Sequence, residues 1–162
     1  MDIRTERPED RAAIRDLLTG AFESAAEADL VDRLRADGDT VFSLVADEGG
    51  VVAGCAMLSR MRAPFRALGL APVAVREEYR RRGIAERLIR EALRCARDDA
   101  WDAVFVLGDP AYYGRFGFRA ETAAGFDCAY TGPYLMALSL DGLPLPAASG
   151  PVEYAPAFAP LG

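Results

Sequence analysis

Apolar residues recur at two different spacings along the chain, which predicts a mixture of helices and strands. In residues 8–22 and again in residues 25–37 the apolar groups lie at helical spacing, on one face of each segment. Residues 41–46 and 51–61 are apolar runs of strand length. The residues between these runs, Asp47-Glu48-Gly49-Gly50, predict a hairpin turn. The chain should therefore begin with two helices followed by a β-hairpin.

A strand, a helix and a second strand are predicted in the middle of the chain. Leu68 to Val75 is an apolar strand, and Ile84 to Arg97 has helical spacing, with Glu86 and Arg90 as an exposed i, i+4 pair. The residues expected on the buried face of this helix are Ala85, Leu88, Ile89, Ala92, Leu93 and Ala96. Trp101 to Leu107 is almost continuously apolar, as strands buried on both faces are, so it should pair in parallel with the preceding strand. The helix would then form a right-handed crossover.

The C-terminal part of the chain gives weaker signals. A short helical turn is expected after Pro110, and residues 124–130 and 134–140 are two further strand candidates. We expect residues 1–140 to form one domain without internal repeats. Residues 141–162, rich in Pro and Ala, are expected to form an irregular tail on the same domain. Its anchoring residues would be Val152, Tyr154 and Phe158.

A basic, glycine-containing turn stands at the start of the crossover helix. Arg80, Arg81 and Arg82 come directly before Gly83. The first N–H groups of a helix have no partner inside the helix and carry the positive end of its dipole. Gly83 and Ala85 leave that backbone open to a bulky anion. The guanidinium group of an arginine can also donate two hydrogen bonds at once to the oxygens of a phosphate. The pattern predicts a phosphate-binding site.

The positive charge at this turn is local, because the chain as a whole carries a formal net charge of -6. Such an acidic balance argues against a nucleic-acid partner. The three arginines could instead form a solvated face, but cations at a helix start oppose the helix dipole. An anion site is therefore the preferred interpretation.

The chain lacks two residue types that many enzymes need. It contains no His, and all 19 of its Lys and Arg residues are Arg. Ser-His and Cys-His nucleophile pairs, lysine Schiff bases, Walker A phosphate binding and histidine metal sites are therefore excluded. Cys55, Cys95 and Cys128 are far apart and odd in number, which fits small buried hydrophobes better than disulfides or a metal site. Proton transfer would have to use Tyr, Cys, Asp, Glu, a terminus or water.

The sequence carries no targeting or membrane signal. The first ten residues lack the apolar stretch of a signal peptide, and no apolar run approaches the roughly 18 residues of a membrane helix. The expected location is the cytoplasm, with no membrane partner.

Two short motifs resemble those of the GNAT superfamily of N-acetyltransferases. Arg80, Gly83 and Ala85 fill the fixed positions of its acyl-CoA signature, and Tyr113 stands four residues before Gly117-Phe118, as in a second signature. The resemblance implies an α/β fold with a central, mostly antiparallel twisted sheet, one parallel strand pair joined by a crossover helix, and flanking helices. The segments 107–118 and 27–35 also resemble a bacterial subgroup of the superfamily, the YhbS-like group.

The resemblance implies acetyl-CoA as the cosubstrate, with no metal, and assigns residues to it. Val73 and Val75 would present backbone groups to the pantetheine arm. The residues expected around the pyrophosphate are Arg80 of the signature together with Arg81, Arg82, Gly83, Ile84, Ala85 and Glu86. The implied reaction is direct attack by a primary amine of a small molecule or peptide on the acetyl thioester in a ternary complex.

Tyr113 is the residue expected to take part in catalysis. A phenol beside the sulfur can donate a proton or a hydrogen bond as the thiolate leaves. Tyr112 and Tyr113 could instead be aromatic packing behind Phe116 and Phe118. The second signature favours the catalytic interpretation for Tyr113 alone.

The chain departs from the superfamily pattern at two places. Many members carry an Asn that helps to hold the pantetheine at the end of the strand before the tyrosine; this chain has Gly108-Asp109-Pro110 there, and that role is not transferred to Asp109. Some members use a Glu on the strand before the cradle as the general base, whereas residues 65–75 contain no acid. The general base is therefore unassigned, and Glu27, Asp109 and water are the candidates.

Two other function classes compete with the enzyme. A Rossmann dinucleotide site needs three glycines in Gly-x-Gly-x-x-Gly, and residues 83–88 supply one. A non-catalytic acyl-CoA sensor or partner-binding module needs the same cradle and stays an alternative, although the presence of Tyr113 favours the enzyme. The acceptor is not identified, and the sequence allows a homodimer.

Overall fold

A central sheet organises the molecule, which a computed structural model describes for residues 1–161. The strands are β1 (Asp2–Thr5), β2 (Thr40–Glu48), β3 (Val51–Arg60), β4 (Ala67–Val75), β5 (Ala103–Leu107), β6 (Phe126–Asp127), β7 (Leu135–Ser139) and β8 (Gly150–Pro151). The helices are α1 (Arg11–Phe22), α2 (Ala26–Ala36), α3 (Ile84–Asp98), α4 (Pro110–Tyr113) and α5 (Ala120–Ala123). Single 3₁₀ turns lie at Pro8–Asp10, Glu77–Tyr79 and Gly114–Phe116, and a longer one at Pro156–Leu161.

The main sheet has six strands in the order β1-β2-β3-β4-β5-β7. Every neighbouring pair is antiparallel except β4 and β5, which are parallel and are joined by α3. This confirms the predicted fold class, including the parallel pair with its crossover helix. The two N-terminal helices and the hairpin also lie where the apolar spacing predicted them.

Helices cover both faces of the sheet. Leu44 and Leu58 belong to the core cluster that contains the buried face of α3, whereas their neighbours Val45 and Met57 pack with α1 and α2. Successive strand residues point to opposite faces, so the two clusters lie on opposite sides of the sheet. A third cluster, centred on Phe105, packs beneath the C-terminal segment.

Parallel pairing between β4 and β5 covers only a short stretch. Ala67 to Gly69 pair with residues 103–105. Beyond that point β4 continues to Val75 and β5 to Leu107 without pairing with each other. Pro72, which has no N–H to donate, lies in the part of β4 that does not pair with β5, and the pairing of β3 with β4 shifts register at this point. The two strands therefore separate toward their carboxyl ends and leave an opening between them.

Some details of the strands and helices differ from the sequence predictions. The strand β1 was not predicted, because Ile3 is the one apolar residue among its four. The candidate strand 124–130 is reduced to the two residues of β6, which pair with β8 outside the main sheet. Ala85, expected on the buried face of α3, is only half-buried, because it lies in the first turn beside a cavity.

The C-terminal segment packs on the sheet through the residues expected to anchor it. Val152 and Phe158 are buried, and the ring of Tyr154 lies so close to Gly69 that a Cβ there would stand 2.7 Å from it. This packing does not test the boundary at residue 140, which stays a prediction.

The three cysteines are free, and they differ in exposure. Cys55 is buried as predicted, and burial raises the pKa of its thiol to about 12. Cys95 and Cys128 are only half-buried, so the prediction is wrong for them. Cys95 lies on α3 outside the buried face of that helix, and Cys128 lies in the loop that follows β6.

Across residues 1–161, the helices are too short or too polar to cross a lipid bilayer.

Charged side chains fasten the N-terminal strand to the helical layer. Arg4 contacts both carboxylate oxygens of Asp10, at 2.7 and 3.0 Å, and also Asp47 at 3.0 Å. The Asp10 side chain is 6% exposed and also accepts the N–H of Arg7 at 2.7 Å. These bonds, that from Arg4 above all, hold the pKa of Asp10 below its ordinary value.

Asp10→Asn should lower the free energy of unfolding at neutral pH by about 1–3 kcal/mol, the usual range for a lost bond to a charged group. Folding depresses the pKa of Asp10, so its contribution is complete above the unfolded value of about 3.9 and is lost as the pH falls through the folded value. Denaturant unfolding of both proteins between acid and neutral pH checks this. Asp98→Asn, at an exposed pair, serves as the control. If the parent and Asp10→Asn differed in free energy of unfolding by the same amount at every pH, the assignment would be contradicted.

Candidate active site

The turn before α3 forms an open, basic cradle. Arg81 and Gly83 have positive φ angles of 66° and 73°, and α3 begins directly afterwards. The first intrahelical bond runs from the N–H of Arg87 to the carbonyl of Gly83 at 3.1 Å, so the N–H groups of residues 84–86 precede it. A Cβ on Gly83 would meet no atom within 4 Å. The start of the helix is therefore accessible to an anion.

A cavity of about 500 Å³ lies against this cradle. Eight of the nine residues that the sequence assigned to cosubstrate binding line it, namely Val73, Val75, Arg80, Arg81, Gly83, Ile84, Ala85 and Glu86. Arg82 is not among the lining residues. Its guanidinium lies 5.1 Å from the ring centre of Tyr79 and donates to the carbonyl of Glu78 at 3.3 Å. The geometry thus brings the predicted residues together and leaves Arg82 outside.

Sequence reasoning missed part of this cavity. The further lining residues are Ala21, Phe22, Ala74, Tyr79, Tyr112 and Arg115. Arg115 lies 4.4 Å from the ring centre of Tyr112 and 3.7 Å from the carboxylate of Glu86. The contact with Tyr112 is local, three residues apart, whereas the contact with Glu86 joins distant segments and has no signal in the sequence. The 3₁₀ turn after α4 therefore adds a third cation to the cavity, beside Arg80 and Arg81.

A second cavity, of about 400 Å³, lies in the opening between β4 and β5. The sheet contributes Leu70, Ala71, Pro72, Val73 and Leu107 to its lining. The N-terminal helices contribute Phe22, Glu27 and Leu30, and the remaining residues are Tyr113, Tyr130, Tyr154, Phe158 and Leu161. Phe22 and Val73 line both cavities, so the two are neighbours across the end of β4.

Tyr113 stands in the wall of the second cavity and is held by tight packing. A Cβ on Gly108 would overlap its ring, 2.8 Å from Cδ2, so only glycine fits there. The rings of Tyr112, Phe116 and Phe118 lie 5.1, 6.3 and 5.9 Å from it, centre to centre. Burial, with a smaller contribution from Tyr112, raises the pKa of Tyr113. The packing interpretation and the catalytic one are therefore compatible for this residue.

The two acidic candidates for a general base have different surroundings. Glu27 lines the second cavity, and its Oε2 atom is buried. Asp109 is exposed, caps α4 by accepting the N–H of Ala111 at 3.0 Å, and lines neither cavity. Among residues 1–161, His, Cys, Asp and Glu form no group of three or more that could hold a metal ion.

The chain resembles known proteins along most of its length. Residues 11–118 match the acetyltransferase (GNAT) family. The uncharacterized N-acetyltransferase YhbS of Escherichia coli strain K12 is 42% identical over 136 residues, which cover 82% of this chain and 81% of that protein. The uncharacterized N-acetyltransferase YjhQ of the same strain is 38% identical over 133 residues, 77% of this chain and 71% of that protein.

Two solved structures resemble the whole molecule. The structure of YhbS from E. coli in complex with CoA has a TM-score of 0.93 and 37% identity, covering 99% of this chain and 93% of that chain. A GNAT family acetyltransferase from Brucella melitensis in complex with acetyl-CoA has a TM-score of 0.82 and 35% identity, covering 97% of each chain. The likeness therefore includes the C-terminal segment as well as the sheet.

The pKa of Tyr113 should lie above 10, the ordinary value for tyrosine, because burial disfavours the charged phenolate. A pH titration by NMR of protein labelled at tyrosine Cζ measures this, and the signal missing from Tyr113→Phe identifies the residue. A midpoint at or below 10 would contradict the buried placement of the phenol.

Proposed function

The chain belongs to the acetyltransferase (GNAT) family, and on that premise we propose that it transfers the acetyl group of acetyl-CoA to a primary amine of a small molecule or peptide. Membership confirms the resemblance read from the two short motifs. The observation that carries the proposal is the meeting of the two cavities at the open end of β4. One cavity is basic and suits a phosphate-bearing cosubstrate, and the other is apolar with one acid and suits an acceptor.

The first cavity fits the phosphate-bearing part of acetyl-CoA. The open backbone at Gly83 and the free N–H groups at the start of α3 suit a pyrophosphate. Arg80, Arg81 and Arg115 line the cavity and add charge of the right sign. CoA and acetyl-CoA are bound in the two structures that the whole chain resembles. No metal is needed for this arrangement.

The pantetheine arm would follow the free edge of β4. Beyond Gly69 that edge has no partner in β5, whereas the other edge stays paired with β3 as far as Val75. The backbone between Ala71 and Val75 can therefore offer polar groups to an extended ligand, as a neighbouring strand would. This path leads from the cradle to Val73, where the second cavity begins.

Tyr113 would act on the departing sulfur. The amine nitrogen bonds to the carbonyl carbon of the acetyl group, the carbon–sulfur bond breaks, and the sulfur takes up the electron pair. A phenol that keeps its proton can donate it, or a hydrogen bond, to the sulfur as the charge develops. The proton lost by the amine goes to Glu27 or to water. Asp109 suits this role less, because it is already engaged as a helix cap.

A non-catalytic acyl-CoA module is the alternative, and two features favour the enzyme over it. Tyr113 lines the second cavity, and that cavity stands next to the cradle. We also propose a cytoplasmic location, because free cysteines are typical of reducing compartments.

Gly83→Asn should weaken acetyl-CoA binding at least about 10-fold, or about 1.4 kcal/mol. Asn tolerates a positive φ, so the loss would come from a side chain in the space of the pyrophosphate rather than from the backbone. Gly38→Asn is the matched control, since Gly38 has a φ of 76° with no atom within 4 Å of a Cβ and lines neither cavity. Calorimetry that gives equal affinity for the parent and the folded Gly83→Asn protein would overturn the assignment.

Tyr113→Phe should lower turnover about 10- to 1,000-fold, within the range for a positioned acid, and leave acetyl-CoA affinity within about two-fold. A thiol-release assay with an amine panel measures turnover, and calorimetry measures affinity. Tyr134→Phe is the control, because that side chain is exposed and lies outside both cavities. Unchanged turnover in Tyr113→Phe would remove the residue from the mechanism. Acetyl-CoA binding without turnover of any amine by the parent would favour the non-catalytic module.

A further inference from the structure

Two residues that line the second cavity have buried polar atoms without a hydrogen-bond partner. In the described part of the chain, three buried side-chain oxygen or nitrogen atoms have no hydrogen-bond partner: Glu27 Oε2, Ser59 Oγ and Tyr154 Oη. Glu27 and Tyr154 line the same cavity. Buried polar groups are nearly always paired in native proteins, so two unpaired ones on residues that line one cavity point to a ligand with matching groups.

Both atoms can accept N–H donors. The oxygen of Glu27 is a carboxylate acceptor, and Tyr154 adds a hydroxyl oxygen from the C-terminal segment. Burial raises the pKa of Tyr154, so this hydroxyl keeps its proton at neutral pH. A neutral primary amine has two N–H donors and one lone pair. It can therefore satisfy two acceptors while the lone pair stays free to attack a thioester.

The remaining walls of the cavity are apolar or aromatic. Glu27 is the one acidic residue among the lining residues, and no arginine is among them. The rings of Tyr130 and Phe158 lie 5.7 and 5.1 Å from that of Tyr154, centre to centre, so the C-terminal side of the cavity is an aromatic surface. Such rings also attract the ammonium form of an amine.

We propose that this cavity selects a primary monoamine on an apolar stem that carries no carboxylate, held by the carboxylate of Glu27 and the hydroxyl of Tyr154. The assignment rests on the proposed acetyltransferase function and specifies its acceptor. An amino acid would bury a carboxylate with no cation to pair it, and a polyamine would bring a second ammonium with no second acid. A volume of about 400 Å³ lies in the range of small-ligand sites.

Three amines test this selectivity. Phenethylamine fits the proposed class, phenylalanine adds a carboxylate to the same skeleton, and spermidine replaces the apolar stem with further ammonium groups. We expect kcat/KM for phenethylamine to exceed that for either of the others at least about 100-fold, since buried charges without partners are strongly rejected. Calorimetry of phenethylamine with the protein measures binding independently of turnover.

Variants of the wall identify the residues responsible. Glu27→Gln should raise KM for phenethylamine about 10- to 100-fold, and Tyr154→Phe about 3- to 10-fold, with acetyl-CoA affinity within about two-fold of the parent. Glu23→Gln is the matched control, because Glu23 is exposed at the end of α1 and does not line this cavity. A general loss of structure in Glu27→Gln would also weaken acetyl-CoA binding, and the affinity measurement detects it.

The possible outcomes separate the two proposals. Preferred turnover of phenylalanine or spermidine would overturn the acceptor class and leave the acetyltransferase function intact. Binding of phenethylamine that depends on Glu27, without turnover, would support the site and contradict the enzyme. If the protein neither binds nor acetylates phenethylamine, the inference is overturned, whether or not acetyl-CoA binds. An unchanged KM in Glu27→Gln would overturn the role of that residue.

Discussion

The separation of β4 and β5 after three residue pairs is the constraint on which the rest of the site depends. If the strands stayed paired to their ends, no cavity could form between Val73 and Leu107. Their separation frees one edge of β4, exposes the start of α3 and gives Tyr113 a space to face. Pro72 and the register shift between β3 and β4 mark where this departure from a regular sheet occurs. A parallel pair normally buries its strands along their length, so the opening is an unusual and informative feature.

The two cavities that meet at this opening differ in chemistry because different parts of the chain build them. The basic one is formed mainly by the turn before α3, where cations stand at the positive end of a helix dipole and require an anion nearby. The apolar one is closed by residues from α1, α2 and the C-terminal segment. In an otherwise acidic chain, this division puts positive charge against one ligand and a single carboxylate against the other.

What the sequence predicted well was local in origin. The helices, the hairpin, the crossover helix and the cradle from Arg80 to Ala85 are encoded within short segments, through spacing, glycine placement and charge. What it missed depends on contacts between distant segments. Arg115 reaches the first cavity from the 3₁₀ turn after α4. The aromatic wall of Tyr130 and Tyr154 forms only once the C-terminal segment packs on Gly69. Such contacts leave no periodic signal in the sequence.

The most direct test of the account is a crystal structure of the protein with acetyl-CoA bound. The account predicts the pyrophosphate on the N–H groups that follow Gly83 and the pantetheine along the free edge of β4. It also predicts the sulfur within about 3–4 Å of the Tyr113 hydroxyl, with the acetyl group turned toward the second cavity. Acetyl-CoA bound elsewhere, or in the cradle with its acetyl group directed away from that cavity, would contradict the central claim.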